Sequence, residues 1–339
     1  MNLQDAYELM IACIEARLPA FLWGGPGLGK SDTVRQVASH YGWNPNPASR
    51  TFGLIDLRLS QYSDVDLRGL PHVEGSYSVW SLPSILPYAE RDGERGVLFL
   101  DELPQAVHSV QNVGYQLILD RCIGDYQLPD GWTVIAAGNN SGDGGFQQKL
   151  ASPLANRFAQ HMEIEADIDL WANWATDNNI DPVIIGLLKY RSELLYQFDK
   201  NSKAFPTPRS WAMLSRLAPF VPARLLKQAA ENCIGNGAAI EYYGYKDLLA
   251  QLPSLAAIIA NPLSAPIPTN PGTLYAVCIG LARQLNAKTI KGVMQYLDRI
   301  PVEFAVMGVK SAIARDKSLE SYPEFVQWAV KNQDAFKAS

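Results

Sequence analysis

The pattern of apolar and polar residues changes halfway along the chain. In the first half, short apolar runs alternate with segments of helical periodicity, which predicts strands connected by helices. The predicted strands are Ala20–Trp23, Gly53–Leu59, Val97–Leu100, Thr133–Ala137 and His161–Ile164. Such alternation is typical of an α/β domain, in which a mostly parallel sheet lies between helices and ligands bind beyond the carboxyl ends of the strands.

After Asp167 only helical patterns remain. The predicted helices are Leu170–Thr176, Val183–Tyr196, Ser210–Leu217, Thr273–Leu285, Lys288–Asp298, Val302–Ala314 and Tyr322–Asn332. A proline-rich stretch, Asn261–Gly272, interrupts them and indicates a boundary or long turn, because proline cannot continue a helix.

Composition narrows the class of protein. The chain has 339 residues, of which 47% are hydrophobic and 19% charged, so we expect two or three packing units with a sizeable core. Its net charge of −5 argues against a broadly basic surface. The four cysteines are widely spaced, the N-terminus lacks the basic region of a secretory signal, and no apolar run reaches the ~20 residues of a membrane span. We therefore expect a cytoplasmic protein.

A glycine-rich loop follows the first predicted strand. Gly24 and Gly29 flank four residues, and Lys30 and Ser31 come directly before the helical stretch Asp32–His40. This is a P-loop in its required context, because backbone N–H groups can turn toward a phosphate, the lysine reaches the β- and γ-phosphates and the serine hydroxyl can ligate Mg²⁺. We predict a nucleoside triphosphate site formed by Gly25, Pro26, Gly27, Leu28, Gly29, Lys30, Ser31 and Asp32.

Two acidic residues end a later apolar run. Val97–Leu100 is followed by Asp101 and Glu102, the arrangement of a Walker B strand. Asp101 would support the Mg²⁺ ion that Ser31 ligates, and Glu102 would orient or deprotonate the attacking water. The second acid favours hydrolysis over binding alone.

Amides follow the next predicted strand. Asn139 and Asn140 stand where a side chain could reach the γ-phosphate or the attacking water, and we take Asn139 as the candidate. The segment is also strongly turn-forming, so which of the two asparagines reaches the nucleotide is left open.

Two arginines are candidates for stabilising the charge that develops during phosphoryl transfer. Arg157 lies in the segment Leu154–Phe158, and Arg209 follows Pro208 at a predicted helix start. Each also fits a role as an arginine in a surface ion pair.

Together these motifs resemble those of AAA+ ATPases, and within them the MoxR group, over roughly Leu9 to Leu249. The resemblance is carried by the P-loop and by Ser63–Gly69, Phe99–Glu102, Ala136–Asn139, Leu154–Phe158 and Thr207–Trp211. It implies an AAA+ P-loop α/β domain at residues 1–166, with a parallel sheet of order 5-1-4-3-2 and helices on both faces. A helical lid at 167–252 and a helical C-terminal extension at 253–339 would follow.

The resemblance also assigns roles. It makes Asn139 sensor 1, Arg209 the sensor 2 arginine of the lid, and Arg157 an arginine finger that acts on a neighbouring subunit. It further implies ATP and Mg²⁺ as ligands, a homo-hexameric ring and a client protein, for which a von Willebrand factor A domain is a common partner of the group.

Two loops carry aromatic residues where the group has insertions. A β-hairpin insert is expected at 72–80 and a second loop at 124–132, and Tyr77, Tyr126 and Trp132 could grip a polypeptide. Aromatic residues of hairpins also commonly serve as packing residues, and that alternative is open.

The leading hypothesis is thus a MoxR-like AAA+ ATPase that couples MgATP hydrolysis to remodelling, assembly or activation of a partner protein, in the manner of a chaperone. The alternatives are an AAA+ motor or loader acting on nucleic acid, which the acidic composition disfavours, and an ATP-dependent scaffold with little turnover.

Overall fold

A computed structural model describes residues 1–46, 51–139, 155–250 and 254–333. Contacts divide these residues into two compact units. The first comprises residues 1–167 together with Phe198–Asn201, and the second comprises Ile168–Gln197 and the described residues from Ser202 onward. The further division of the helical half at residue 253 stays a prediction.

The first unit alternates strands and helices. Its helices are α1 (Leu3–Ala16), α2 (Lys30–His40), α3 (Asp64–Arg68), α4 (Ala89–Asp92) and α5 (His108–Asp120). Its strands are β1 (Ala20–Trp23), β2 (Gly53–Arg58), β3 (Leu70–Glu74), β4 (Tyr77–Ser81), β5 (Arg95–Asp101), β6 (Cys122–Ile123), β7 (Tyr126–Gln127), β8 (Gly131–Gly138) and β9 (Gln160–Glu163).

Five of these strands form one parallel sheet. Their order is β2-β5-β8-β1-β9, and every neighbouring pair is parallel. Counted along the chain as strands 1 to 5, this is the order 5-1-4-3-2, so the predicted AAA+ P-loop fold is confirmed. The register places Arg58 of β2 beside Asp101 of β5, and Phe21 of β1 beside His161 of β9.

Both faces of the sheet are covered, because alternate residues of each strand point to opposite sides. On one side, Leu98 and Leu100 of β5 join a buried cluster with side chains of α5 such as Val113. On the other side, Val97 and Phe99 are equally buried, and helices α1 and α2 contact the sheet. The central strands β5, β8 and β1 can therefore be apolar along almost their whole length.

The expectation that Tyr126 and Trp132 could grip a polypeptide is wrong, because both side chains are buried. Tyr126 is only 2% exposed and its hydroxyl donates a hydrogen bond to the carbonyl of Pro87 at 2.6 Å, while Trp132 is fully buried and its indole donates to Gly93 at 2.9 Å. A Cβ atom on Gly53 would lie 2.3 Å from the Trp132 ring, so only glycine at position 53 leaves room for the indole. Tyr126 and Trp132 are packing residues and cannot grip a client.

The other hairpin is exposed. Strands β3 and β4 pair antiparallel, close to the predicted insert at 72–80, and Gly75 takes a positive φ of 61° in the turn. Val73 and Tyr77 are 79% and 78% exposed. Tyr77 is thus available for contact with another molecule.

The second unit is helical. Its helices are α6 (Ile168–Asp177), α7 (Pro182–Tyr190), α8 (Pro208–Leu217), α9 (Leu226–Ile234), α10 (Asn236–Ala250), α11 (Leu255–Ala260), α12 (Pro271–Gln284), α13 (Ile290–Leu297), α14 (Val302–Arg315) and α15 (Pro323–Lys331). They enclose two hydrophobic clusters, and α12 supplies side chains to both: Tyr275, Ala276 and Ile279 to one, Leu274, Val277, Cys278, Leu281 and Ala282 to the other. Within the described ranges, no helix has the length and apolar character needed to cross a bilayer.

Candidate nucleotide-binding site

The glycine-rich loop connects β1 to α2 at the carboxyl end of the sheet. Gly27 and Gly29 have φ values of 80° and 97°, in the left-handed region that residues with a Cβ atom rarely adopt. Gly24 is confined sterically, because a Cβ atom there would lie 2.9 Å from the carbonyl oxygen of Ile164. These glycines allow the loop to turn directly into the start of α2, where the helix dipole favours an anion.

Lys30 is the first residue of α2 and is only 8% exposed. Its Nζ donates hydrogen bonds to the carbonyls of Gly24 at 2.5 Å and Gly25 at 2.9 Å, and to Oδ1 of Asn139 at 3.3 Å. The ammonium group is therefore held in the concavity of its own loop, next to the residue that follows strand β8. Asn140 lies outside the described residues.

Ser31, the residue after Lys30, contacts Asp101 at the end of β5. The Ser31 hydroxyl donates to Oδ2 of Asp101 at 3.1 Å, and the backbone N–H of Glu102 donates to Oδ1 of the same carboxylate at 2.9 Å. A hydroxyl and a carboxylate are ligands that suit Mg²⁺, which keeps several waters and binds the phosphates of its nucleotide. Within the described part of the chain, no group of three or more His, Cys, Asp or Glu side chains is arranged to hold a metal. The hydroxyl of Ser31 and the carboxylate of Asp101 fit Mg²⁺ bound together with a nucleotide, whose phosphates would supply further oxygen ligands.

Glu102 has an unusual backbone. Its φ and ψ of 58° and 31° place it in the left-handed region, which costs a non-glycine residue of the order of 1 kcal/mol and is concentrated at functional sites. Its carboxylate accepts a hydrogen bond from the hydroxyl of Ser60 and lies 3.4 Å from Nε of Arg58. The predicted catalytic acid is thus engaged by residues at and just beyond the end of β2.

A second ion pair lies along the same strand. Arg35 of α2 contacts Oδ2 of Asp56 at 2.9 Å and Oδ1 of Asp32 at 2.9 Å. Burial raises the pKa of the Asp56 carboxyl. The positive charge of Arg35 acts to lower this pKa, and the negative charge of Asp101 acts to raise it further. The carboxylate of Asp32 is 74% exposed and pairs with Arg35, and a role of Asp32 in the nucleotide site stays a prediction.

Arg157 packs on its own chain. Its Nη1 donates to the carbonyl of Tyr115 in α5 at 2.9 Å, and its guanidinium lies 4.9 Å from the centre of the Tyr115 ring. To serve a neighbouring subunit it would have to leave this hydrogen bond.

Arg209 belongs to the helical unit and is the second residue of α8. The start of this helix is fixed by Pro208 and by a reciprocal pair of hydrogen bonds between Thr207 and Ser210. The Arg209 side chain is exposed.

Sequence reasoning missed the contacts of Glu102. Asp56, Arg58 and Ser60 alternate with the buried residues Leu57 and Leu59, a period of two that indicates a strand edge with one polar face. The run Gly53–Leu59 is thus not uniformly apolar, and that alternation was the available signal.

Comparison with known proteins gives structural resemblances only. No protein-family model matches this sequence, and no curated protein sequence matches it significantly. A closed-state reconstruction of Hsp104 with ATPγS and casein has 18% identity and a TM-score of 0.41, covering 72% of this chain and 46% of that one. A RuvB mutant from Thermotoga maritima has 18% identity and a TM-score of 0.39, covering 87% of each chain. NtrX from Brucella abortus with ADP has 13% identity and a TM-score of 0.42, covering 98% and 67%.

The chain therefore spans less than half of the Hsp104 chain that it resembles. At these identities and TM-scores, the assignment of the fold rests on the strand order and the loop themselves. They define a protein with an AAA+ P-loop fold.

Proposed function

We propose that this protein is an AAA+ ATPase of the MoxR type that hydrolyses MgATP. The observation that carries the proposal is the meeting of four side chains, in two pairs, at the carboxyl ends of three neighbouring strands: Lys30 with Asn139, and Ser31 with Asp101. A buried ammonium group beside a hydroxyl–carboxylate pair is suited to a phosphate chain and its metal.

Each residue then has a distinct task. Lys30 binds phosphate oxygens in place of the loop carbonyls, Ser31 and Asp101 hold Mg²⁺, and Asn139 contacts the terminal phosphate or the attacking water. Bound Mg²⁺ would neutralise charge on the phosphates. Glu102 accepts a proton from the attacking water. To reach that water, its carboxylate must first leave Ser60 and Arg58.

The arginines extend the proposal to an oligomer. Arg157 would leave Tyr115 and complete the site of the next subunit in a homo-hexameric ring, and Arg209 would act as the sensor arginine of a helical lid at 167–252. Charge developing on the transferred phosphoryl group is what such arginines stabilise.

The work done by hydrolysis is remodelling, assembly or activation of a partner protein, such as one with a von Willebrand factor A domain, in the cytoplasm. The exposed hairpin supports this proposal, since Val73 and Tyr77 offer apolar surface at its tip. Exposed apolar groups of this kind commonly mark contact sites.

A second candidate is an AAA+ motor acting on nucleic acid, and one stretch of the chain favours it. Residues 200–230 contain six basic side chains and no acidic one, although the whole chain has a net charge of −5. The basic residues are Lys200, Lys203, Arg209, Arg216, Arg224 and Lys227. Stimulation of the ATPase by DNA at low salt would support this candidate.

The test is Glu102→Gln, with Glu94→Gln, an exposed acid just before the same strand, as the matched control. We expect the Glu102 variant to bind labelled ATP within about threefold of the unchanged protein and to lose at least about 100-fold in kcat, since general-base catalysis is worth that much. Unchanged turnover would refute the role of Glu102. Binding of ATP without turnover by the unchanged protein would instead indicate a scaffold, and absence of binding would refute the proposal.

A further inference from the structure

A histidine joins the nucleotide loop to the segment that carries Arg157. The indole N–H of Trp23 donates to Nδ1 of His161 at 2.9 Å, and Nε2 of His161 lies 2.8 Å from the carbonyl oxygen of Ala155. Trp23 comes directly before Gly24, and Ala155 is two residues before Arg157. Two hydrogen bonds thus link Trp23, at the start of the nucleotide loop, to His161 and Ala155, which lie more than 130 residues later in the sequence.

The partners of His161 fix its tautomer. An indole nitrogen can only donate and a carbonyl can only accept, so Nδ1 must carry the lone pair and Nε2 the proton. The ring uses both nitrogens at once. No other side chain can accept at one edge and donate at the opposite edge from a rigid ring, which makes the bridge specific to histidine.

The Ala155 carbonyl closes the turn in which Arg157 lies. It also accepts the backbone N–H of Phe158 at 3.2 Å, so Arg157 is the third residue of a four-residue turn held at its first carbonyl. Phe158 packs edge-on against Phe21, with ring centres 5.0 Å apart, and against His161 at 5.9 Å. The turn is thus anchored to β1 by ring packing and by the histidine bridge.

The other end of the bridge reaches the glycine-rich loop that begins at Gly24. The N–H of Gly24 donates to Gly138 at 3.2 Å, and the carbonyl of Gly24 accepts from Lys30. A shift of Gly24 when Lys30 exchanges its carbonyls for phosphate would move Trp23, and through His161 it would move Ala155.

We propose that His161 is a positioning residue that couples the nucleotide loop of one subunit to the arginine that the same subunit offers to its neighbour. This inference rests on the proposed function, in which Arg157 acts in trans. The side-chain hydrogen bonds of His161 go to Trp23 and Ala155, and its effect passes through the turn that holds Arg157.

Mixed oligomers separate this role from a purely structural one. Subunits with Glu102→Gln keep Arg157 but cannot hydrolyse, and subunits with Arg157→Ala keep their site but lack the arginine. The mixture is expected to regain MgATP hydrolysis at junctions where a Glu102→Gln subunit serves an Arg157→Ala site. Co-purification of an untagged variant with a tagged one checks that the subunits mix.

His161→Phe is then introduced into one of the two kinds of subunit at a time. It preserves the ring packing and removes both hydrogen bonds. On the Glu102→Gln subunit, which donates the arginine, we expect the kcat of the mixture to fall at least about tenfold with KM within about twofold, because small misplacements of catalytic groups cost this much. On the Arg157→Ala subunit, which has no arginine to place, kcat should stay within about twofold.

Two further variants guard against misfolding. Trp23→Phe on the donating subunit removes only the indole donor and should lower kcat in the same direction, while His161→Gln, whose amide can both accept and donate, should restore part of the loss. Equal loss in both arms, or loss in neither, would overturn the role of His161. An inactive parent mixture would refute action of Arg157 in trans, and with it this coupling, before any change at His161 is made.

Discussion

The carboxylate of Glu102 accepts a hydrogen bond from the hydroxyl of Ser60. The other carboxylate oxygen of Glu102 lies 3.4 Å from Nε of Arg58, so both oxygens are directed toward residues of β2 and the turn after it. Because the Arg58 and Glu102 side chains are 53% and 37% exposed, solvent screens the ion pair and the hydroxyl is the more specific of the two contacts. In this arrangement the proposed base is occupied.

Ser60→Ala is expected to raise the basal ATPase rate. Removing a hydrogen bond worth about 0.5–1 kcal/mol frees the carboxylate to contact water, which corresponds to an increase in kcat of about two- to fivefold. Steady-state ATPase assays measure it, with Ser78→Ala on the exposed strand β4 as control. A rate that falls would mean that Ser60 orients Glu102 productively, and an unchanged rate would mean that Ser60 does not restrain it.

Two tryptophans of the first unit should differ sharply in their effect on stability. Trp132→Ala removes a fully buried side chain and is expected to lower the free energy of unfolding by about 3–5 kcal/mol. Trp80→Ala, on the hairpin, should lower it by much less, about 1 kcal/mol or below, because the Trp80 side chain is 36% exposed. Urea unfolding followed by circular dichroism compares them, and equal effects would contradict the burial of Trp132.

Thiol reactivity should follow burial. Burial raises the pKa of Cys278 to about 12, and the side chain is fully inaccessible in α12. Since the thiolate is the reactive form, a water-soluble alkylating reagent at pH 8 should modify the half-buried Cys122 in the native protein and reach Cys278 only after unfolding. Mass spectrometry of peptides locates the label. Native Cys278 reacting as fast as Cys122 would contradict this packing.

The sheet could be predicted from the sequence because its signals are local. A buried parallel strand is a short apolar run, so the predicted strands begin and end within two residues of those in the structure. The loop after β1 is recognisable from its glycines. The site residues meet because each lies at or just beyond the carboxyl end of a central strand: Asp101 of β5, Asn139 of β8, and Lys30 and Ser31 of β1. The order of the strands in the sheet brings these ends together.

The remaining features depend on residues far apart in sequence. Whether Trp132 packs or is exposed is decided by Gly53 and Gly96, the glycines across which its ring lies. The restraint on Glu102 depends on Ser60, forty-two residues earlier. Neither contact has a local signature, because a tryptophan or a serine after a strand occurs in many other settings.

Helix α12 determines how the helical unit can be shortened. Its buried residues run around the whole circumference, and both hydrophobic clusters take side chains from it. A fragment that ends before Pro271 would therefore lose the second cluster and also leave a gap in the first, at the places of Tyr275, Ala276 and Ile279. The residues beyond the proline-rich stretch are, in this sense, part of the fold of the helices that precede it, and a truncated chain would expose apolar surface on α7 and favour aggregation.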